Sequence, residues 1–482
     1  MQFLDLPLEL LSDILFHLVR KSQYLFNACL VNKIFEYFAT PHLYARVSIF
    51  AWQKQSKAKR SHSLIRRYSL EIRDFPKSFV GNEDIESVVV HALRNCINLE
   101  SCTWTRDGSL TSDILQVLSE GGTLRELEIN GRSDSRYDPR ILTSFTILAR
   151  ISLIMPSRDV VALLPTWIAQ TTSTLRSLTL ICKMSIFIDD AVLKNIAPNV
   201  PLLEQLSLTG CPAISHEGIS AMLSHNVVGI RSLSLEGLPK KFVQHMHALS
   251  VHLNAKHALS RLVSFTLSLH SSDWLVDILS LLHSAPLERI QLYGTHGRSS
   301  ESSSYSRNFT KAADSFWTAL LSIHSARLTR VSVHRMPISL RSIREVCLRC
   351  TALRQLFVVV EPSSLNTLAD YFMLSSTLAE VHVNFVQHTN HDEDGSNTDS
   401  LPQSEDEGLS DWEQSSILIT PQQALSIVRR CPETIELFGC NTRVWQVERV
   451  IHQTPAGELV ADRVLAKYDQ PDVPEQFLVV RT

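Results

Sequence analysis

One six-residue pattern, apolar-x-x-apolar-x-apolar, returns along most of this chain and limits what it can fold into. It reads Leu124-Arg-Glu-Leu-Glu-Ile, Leu148-Ala-Arg-Ile-Ser-Leu, Leu175-Arg-Ser-Leu-Thr-Leu, Leu203-Glu-Gln-Leu-Ser-Leu and Ile230-Arg-Ser-Leu-Ser-Leu. It continues at Leu262, Leu287, Leu328, Leu353 and Leu378, with weaker copies at Ile65, Leu99 and Thr434. Most successive starts lie 24 to 28 residues apart. The closing apolar-x-apolar step has the period of two that marks a strand. One strand with its connection cannot bury its own apolar face, so neighbouring copies must stack and share a core.

Helical stretches separate the strands: Ser112–Leu118, Arg158–Ile168, Asp189–Ala197, Ser215–Leu223, Ser272–Leu282, Ser339–Leu348 and Ser363–Phe372. Thr420-Pro-Gln-Gln opens another, with an N-cap, a proline in the first turn and Gln423 for a capping box. Two intervals are too long. Leu287 to Leu328 contains the Ser-rich run 294–310, and after Val383 the strand is delayed to about Ile435. The second excess carries nine acidic residues between His391 and Glu413 and no Lys or Arg. Neither has core periodicity, so both read as extruded loops. Within the acidic run, Ser404 and Ser410 each have Glu three residues later, a pattern suited to an acidophilic kinase; an unmodified solvated loop is the simpler reading.

A strand-and-helix period of this size with this motif resembles the leucine-rich repeats. That resemblance covers roughly residues 64–440 and implies parallel strands on a concave face and helices on a convex face. The tail differs. Arg443–Ile451 and Glu458–Tyr468 read as two strands around Thr454-Pro-Ala-Gly, with Phe477–Arg481 as a third. Terminal repeats need a cover, so 441–482 is expected to cap the array with Trp445 on the last repeat.

The N-terminal stretch has a different grammar. Pro7 suits a first helical turn and Glu9 complements a helix N-terminus. Leu11, Ile14, Leu15 and Leu18 then mark one helical face, yet Leu8, Leu10, Phe16 and Val19 are apolar as well. About 45 residues cannot cover that much apolar surface. The residues alone therefore ask for some partner. Leu6-Pro7, Glu9-Leu10-Leu11, Ile14-Leu15 and Leu18, followed by Cys29, Val31, Lys33 and Phe35, resemble the F-box, with Phe35 where many members carry Trp. The resemblance implies a three-helix motif that binds a Skp-type adaptor and, through it, a cullin. The whole chain is similar to the fungal proteins that join an F-box to degenerate leucine-rich repeats.

The expected fold is thus α/β. A small three-helix F-box occupies 3–49 and a basic linker 50–63. A leucine-rich-repeat solenoid follows at 64–440, with loop insertions 294–310 and 388–416. A C-terminal β-strand cap takes 441–482. Gln53–Arg67 reads as solvated linker, with phosphate binding or nuclear import as the alternative for its six basic residues.

Composition narrows the function. Lys+Arg 46 against Asp+Glu 49 gives a formal charge of −3, unlike the strongly basic domains that bind nucleic acid. No run of 18 apolar residues suggests a membrane span, and Asp5, Glu9 and Asp13 are the reverse of a secretory signal. Nine cysteines without a framework suit a reducing cytoplasmic or nuclear setting. Cys347 and Cys350 have no second pair for zinc. Cys96, Cys350 and Cys431 recur just before a repeat start, as small buried residues would. His245, His247, His252 and His257 fit a solvated helix face. No hydrolase, metalloprotease or phosphate-loop motif is present, so no catalytic residue, cofactor or metal is expected.

Binding sites follow from the two resemblances. Leu6, Pro7, Leu11, Ile14, Leu15, Val31 and Phe35 are expected to serve the adaptor, some by contact and some by holding the helices together. Repeat positions three, five and seven project from the concave sheet. They are small and polar in early copies, then become Arg289, Tyr293, Arg330, His334, Phe357, Val359 and His382. Arg and aromatic residues anchor interfaces. These seven are expected either to hold a client protein or to lie beneath a loop or the cap. The implied role is the substrate-recognition subunit of a Skp–cullin–F-box ubiquitin ligase. A scaffold that presents no client and a small-ligand sensor are the alternatives.

Overall fold

The computed structural model describes residues 7–18, 22–43, 45–49, 69–72, 83–183, 185–239, 242–270, 272–294, 303–385, 419–453 and 459–468. Leu6, the linker 50–63, the repeat start at Ile65, the acidic run with Ser404 and Ser410, and the strand at Phe477–Arg481 lie outside them. The chain forms two compact units, Met1–Val263 with Ser280–Ala285, and Ser264–Leu279 with Pro286–Asp469.

The first unit begins with three helices, α1 (Leu8–Phe16), α2 (Ser22–Cys29) and α3 (Lys33–Leu43). Its sheet follows: β1 (Arg46–Ile49), β2 (Ser69–Ile72), β3 (Ser101–Trp104), β4 (Glu126–Asn130), β5 (Arg150–Ile154), β6 (Ser177–Ile181), β7 (Gln205–Thr209) and β8 (Ser232–Glu236). Every adjacent pair from β1 to β8 is parallel and in register. Between the strands run α4 (Glu83–Arg94), α5 (Ser112–Glu120), α6 (Arg158–Gln170), α7 (Asp190–Ile196), α8 (His216–Ser224) and α9 (Val243–Ala255).

The second unit holds β9 (Ser264–Leu269), most of α10 (Trp274–Leu282), β10 (Arg289–Gly294), α11 (Ser303–His324), β11 (Arg330–His334), α12 (Leu340–Arg349), β12 (Gln355–Val360), α13 (Leu365–Phe372), β13 (Glu380–Phe385), α14 (Pro421–Arg430) and β14 (Leu437–Cys440). Strands β9 to β14 are parallel. An antiparallel hairpin, β15 (Arg443–Gln453) and β16 (Leu459–Lys467), then joins the edge of β14.

The repeat arithmetic explains the core. Positions one, four and six of each clear copy are buried, as in Leu175, Leu178 and Leu180 or Leu353, Leu356 and Val358. Fully removing such a side chain from water stabilises by about 2 kcal/mol, and the gain recurs at every repeat. A second device ties one copy to the next. The threonine just before a repeat start donates its hydroxyl to the carbonyl of the preceding start: Thr123 to Leu99 (2.8 Å), Thr174 to Leu148 (2.8 Å), Thr377 to Leu353 (2.7 Å) and Thr434 to Leu378 (2.6 Å). Thr434 is therefore this rung and not a repeat start. The last start is Ile435, which is buried with Phe438 and Cys440. The first copy also shifts by two, because Leu70 and Ile72 are the buried pair of β2.

Helix starts follow side-chain capping. Thr111, Asp189, Ser215 and Ser339 cap α5, α7, α8 and α12, and Thr420 with Gln423 closes a full capping box on α14. The Ser-rich run 294–310 is corrected: α11 begins at Ser303, inside it. Phe309, Ala313, Phe316, Trp317, Leu320 and Leu321 form its buried stripe. Asp314 on α11 accepts hydrogen bonds from the hydroxyls of Ser339 and Ser342, so one helix anchors the start of the next. The tail hairpin meets β14 through Trp445 and α14 through Arg463. Trp445 stacks on Phe438 with centroids 6.3 Å apart. Arg463 donates Nη1 to the carbonyls of Val428 (2.7 Å) and Cys431 (2.9 Å), closing the C-terminal end of α14.

Candidate interaction surfaces

The three N-terminal helices share a very small core. Leu11, Leu15, Leu25, Ala28 and Ala39 are buried, and Leu18, Cys29, Phe35, Phe38 and Leu43 pack partly against them. Asn32 caps α3 through Oδ1, which accepts from the Phe35 amide at 2.9 Å. Ser12 and His42 bond α1 to α3 at 3.1 Å. Around this core stands a dense apolar exterior: Leu8, Leu10, Ile14, Phe16, Tyr24, Phe26, Leu30, Val31, Ile34 and Tyr37 are all exposed. They are ten of the 25 exposed large apolar side chains among the described residues. Scattered exposed apolar residues are ordinary, but a cluster of this density marks an interaction surface.

The expected adaptor residues divide accordingly. Pro7, Ile14 and Val31 are exposed. Leu11 and Leu15 are buried inside the trio, and Phe35 is half-buried against it, so these three hold the helices together. Ile14 shares the i, i+3, i+4, i+7 spacing of Leu11, Leu15 and Leu18 but turns outward, 39% exposed. Leu8, Leu10, Phe16, Tyr24, Phe26, Leu30, Ile34 and Tyr37 add to this surface beyond the expected set; the all-round apolar character of α1 points to the first three.

The second surface is the sheet face carrying positions three, five and seven. In the first unit this face is plain, with Glu126, Glu128, Thr179, Ser207, Ser232 and Ser234 half-buried. In the second unit it carries a ladder of rings. Tyr293 stacks on His334 (centroids 4.7 Å, 14°), His334 meets Phe357 edge-on (6.3 Å), and Phe357 meets His382 edge-on (6.2 Å). The Arg330 guanidinium lies over Phe357 at 5.0 Å, donating Nε to Ser332 (3.2 Å) and Nη2 to Gln291 (3.3 Å). His382 Nε2 lies 3.1 Å from Asn384 Oδ1 and 3.0 Å from the Asn441 carbonyl.

The seven residues expected on the client face divide by burial. Only Arg289 is exposed, and Arg330 is half-buried. Tyr293, His334, Phe357, Val359 and His382 are buried. The rings spend their surface on each other across strands, which single-strand positions do not reveal. Burial, reinforced by His382, Arg330 and Arg335, pulls the His334 imidazole down to about 3. Burial likewise brings His382 down to about 4 despite its two hydrogen bonds. Both are neutral at physiological pH. His334 Nε2 is buried with no hydrogen-bond partner.

The other chemical motifs resolve structurally. Cys96, Cys347, Cys350 and Cys431 are buried, and desolvation pushes the thiols of Cys347, Cys350 and Cys431 up to about 12. Among the described residues no group of three or more His, Cys, Asp or Glu side chains is placed to hold a metal. Two histidines of α9, His245 and His252, are half-buried, while His247 and His257 are exposed. His245 Nδ1 lies 2.9 Å from His216 Nδ1, and His252 Nε2 lies 3.3 Å from the Ser224 hydroxyl, both on α8. No described helix is long and apolar enough to cross a membrane.

Comparison with known proteins gives little more. No protein-family model matches the chain, and no curated protein matches it. Among solved structures, it is similar to a chain in the crystal structure of the Rad7 and Elc1 complex in yeast, with a TM-score of 0.35 and 14% identity over 63% of this chain and 84% of that one. It is similar also to one in the crystal structure of the TLR13–ssRNA13 complex, with a TM-score of 0.28 and 12% identity over 61% of this chain. The match spans 44% of that second chain.

Proposed function

We propose that this chain is the substrate-recognition subunit of a Skp–cullin–F-box ubiquitin ligase, with its N-terminal helices as the F-box and its leucine-rich-repeat array holding a client. The observation that carries the reading is the apolar exterior of α1, α2 and α3. A five-residue core with ten large apolar side chains outside it is a poor solution for an isolated helix trio. It is a sound one for a trio whose outer face another chain covers. An adaptor interface of ordinary size buries about 1,600 Å², and Pro7, Ile14 and Val31 with their exposed neighbours supply apolar area for it.

The chain's work is positioning. A client held near a charged ubiquitin-conjugating enzyme reacts as if intramolecularly, so no catalytic residue is required of this subunit. The test is client lifetime. Replacing Pro7 and Ile14 with charged residues should lengthen the half-lives of proteins that co-purify with the chain; unaltered half-lives with adaptor binding lost would sink the receptor role.

The burial of Tyr293, His334, Phe357, Val359 and His382 favours a second reading, in which the chain binds the adaptor as a scaffold and presents no client on this face. Under it the same replacements leave protein lifetimes unaltered.

A further inference from the structure

Two sulfurs meet in the first unit where successive strands end. Cys182 follows β6 directly, and its amide continues the ladder by donating to the Thr209 carbonyl of β7 at 2.8 Å. Cys211 stands just past the end of β7, and its thiol donates to the Cys182 sulfur across 3.1 Å. Both side chains are buried, and both cysteines are free. A disulfide bond is about 2.05 Å long and joins α-carbons about 4.4–6.8 Å apart. Neighbouring strands run about 4.8 Å apart. The backbones are therefore already within range, and the sulfurs need to close by only about 1 Å.

A buried thiol standing alone is inert. Here the two sulfurs differ in role. The hydrogen bond to Cys182, with burial, pushes the Cys211 thiol up, so Cys211 keeps its proton. Cys182 borders the surface: the next residue, Lys183, is exposed, and so are Ile186 and Phe187. A local opening of that short segment brings the Cys182 sulfur to solvent. We infer that Cys182 and Cys211 form a modification site, closed to a reversible disulfide by hydrogen peroxide, that staples the β6 repeat to the β7 repeat. The Cys182 thiol loses its proton, and the thiolate attacks one peroxide oxygen. The O–O bond breaks, leaving a sulfenic acid on Cys182 and a hydroxide that takes up the released proton as water. The Cys211 sulfur then displaces the sulfenic oxygen, which leaves as a second water with the Cys211 proton. Two thiols are oxidised by two electrons and one peroxide is reduced to two waters. Cys211 stands close enough to trap the sulfenic acid before further oxidation, and a small dithiol reverses the link by exchange. In a solenoid each repeat touches only its neighbours, so a covalent tie between two of them stabilises the stack. The staple depends on neither adaptor nor client.

The test treats the full-length protein with hydrogen peroxide and then unfolds it in denaturant containing iodoacetamide, which blocks every remaining thiol. Digestion without reductant and mass spectrometry follow. The expected result is a peptide pair linked through Cys182 and Cys211, two hydrogens lighter than its parts and separated by dithiothreitol. Dithiothreitol should also lower the melting temperature of the treated protein by about 5 °C, and should not lower that of treated Cys211→Ser. The link itself is read in the wild type, so the test stands if the variant fails to fold. Cys182 and Cys211 both alkylated after treatment, or a sulfinic or sulfonic acid at Cys182 in place of the link, would overturn the inference. So would a link equally abundant when the oxidation is run in denaturant, or a link whose reduction leaves the melting temperature unchanged.

Discussion

The imidazole of His382 lies against the α-carbon of Gly439, its register partner on the next strand, so closely that a β-carbon there would collide with Nδ1. That contact ends the ring ladder of the second unit. It also explains a glycine inside a strand, where glycine is normally unfavourable. Gly439→Ala should cost about 2 kcal/mol, as overpacking does, read as a lower urea midpoint. The cost should shrink in a His382→Ala background, where the ring is gone.

The two ladder histidines make stability depend on pH. Their folded values, about 3 for His334 and about 4 for His382, lie below the ordinary 6.5. The unfolded chain therefore binds more protons than the native one as pH falls from about 6.5 to about 4. Stability is fully present above about 6.5 and is lost across that window, on the order of 2 kcal/mol per histidine by pH 4.5. Chemical denaturation at pH 7 and pH 4.5 checks the slope. His334→Phe should remove about half of the dependence. At pH 7 it should not destabilise, because it also deletes a buried nitrogen without a partner.

Arg463 is the fastening of the tail hairpin to the last repeat helix. Its guanidinium donates to the carbonyl of Val428, which also accepts from the Cys431 amide, and to the carbonyl of Cys431 just past the helix end. Arg463→Met keeps the stem and removes the donors, and should cost about 2 kcal/mol. Hydrogen exchange should then rise in β15, β16 and the last turn of α14 and stay unchanged in β9 and β10.

Much of this molecule was legible in its sequence, for a reason the residues make plain. Leu-x-x-Leu-x-Leu fixes which side chains enter the core, so strands and buried positions followed from spacing alone. Relations between repeats were not legible. Thr434 looked like a weak repeat start because its role, bonding to Leu378, exists only once two repeats stack. Phe309 stood in a run dominated by serine, which hid the first residue of the α11 stripe. Phe357 looked too apolar to be exposed, and it is not exposed; what covers it includes His334, His382 and Arg330 from adjacent strands. At the N-terminus, an apolar count announced a surplus of surface. It did not sort Leu15, which is buried, from Ile14, its exposed neighbour.

That distinction gives a further prediction. Leu15→Ala removes buried volume from a five-residue core and should cost about 2–5 kcal/mol, melting α1 to α3 locally. The repeats should remain folded, because their core is built by their own stacked strands and helices. Limited proteolysis should cut the variant within residues 7–43 first.

The central claim is that the exposed face of the N-terminal helices is covered by an adaptor chain. It is tested most directly by co-purifying the full-length protein with a Skp-type adaptor, comparing the wild type with Ile14→Glu/Val31→Glu. Both positions are exposed, so the double variant should fold and melt like the wild type. The account predicts a stoichiometric complex for the wild type and none for the variant. A wild-type chain that ignores the adaptor, or a variant that still binds it, would contradict the account.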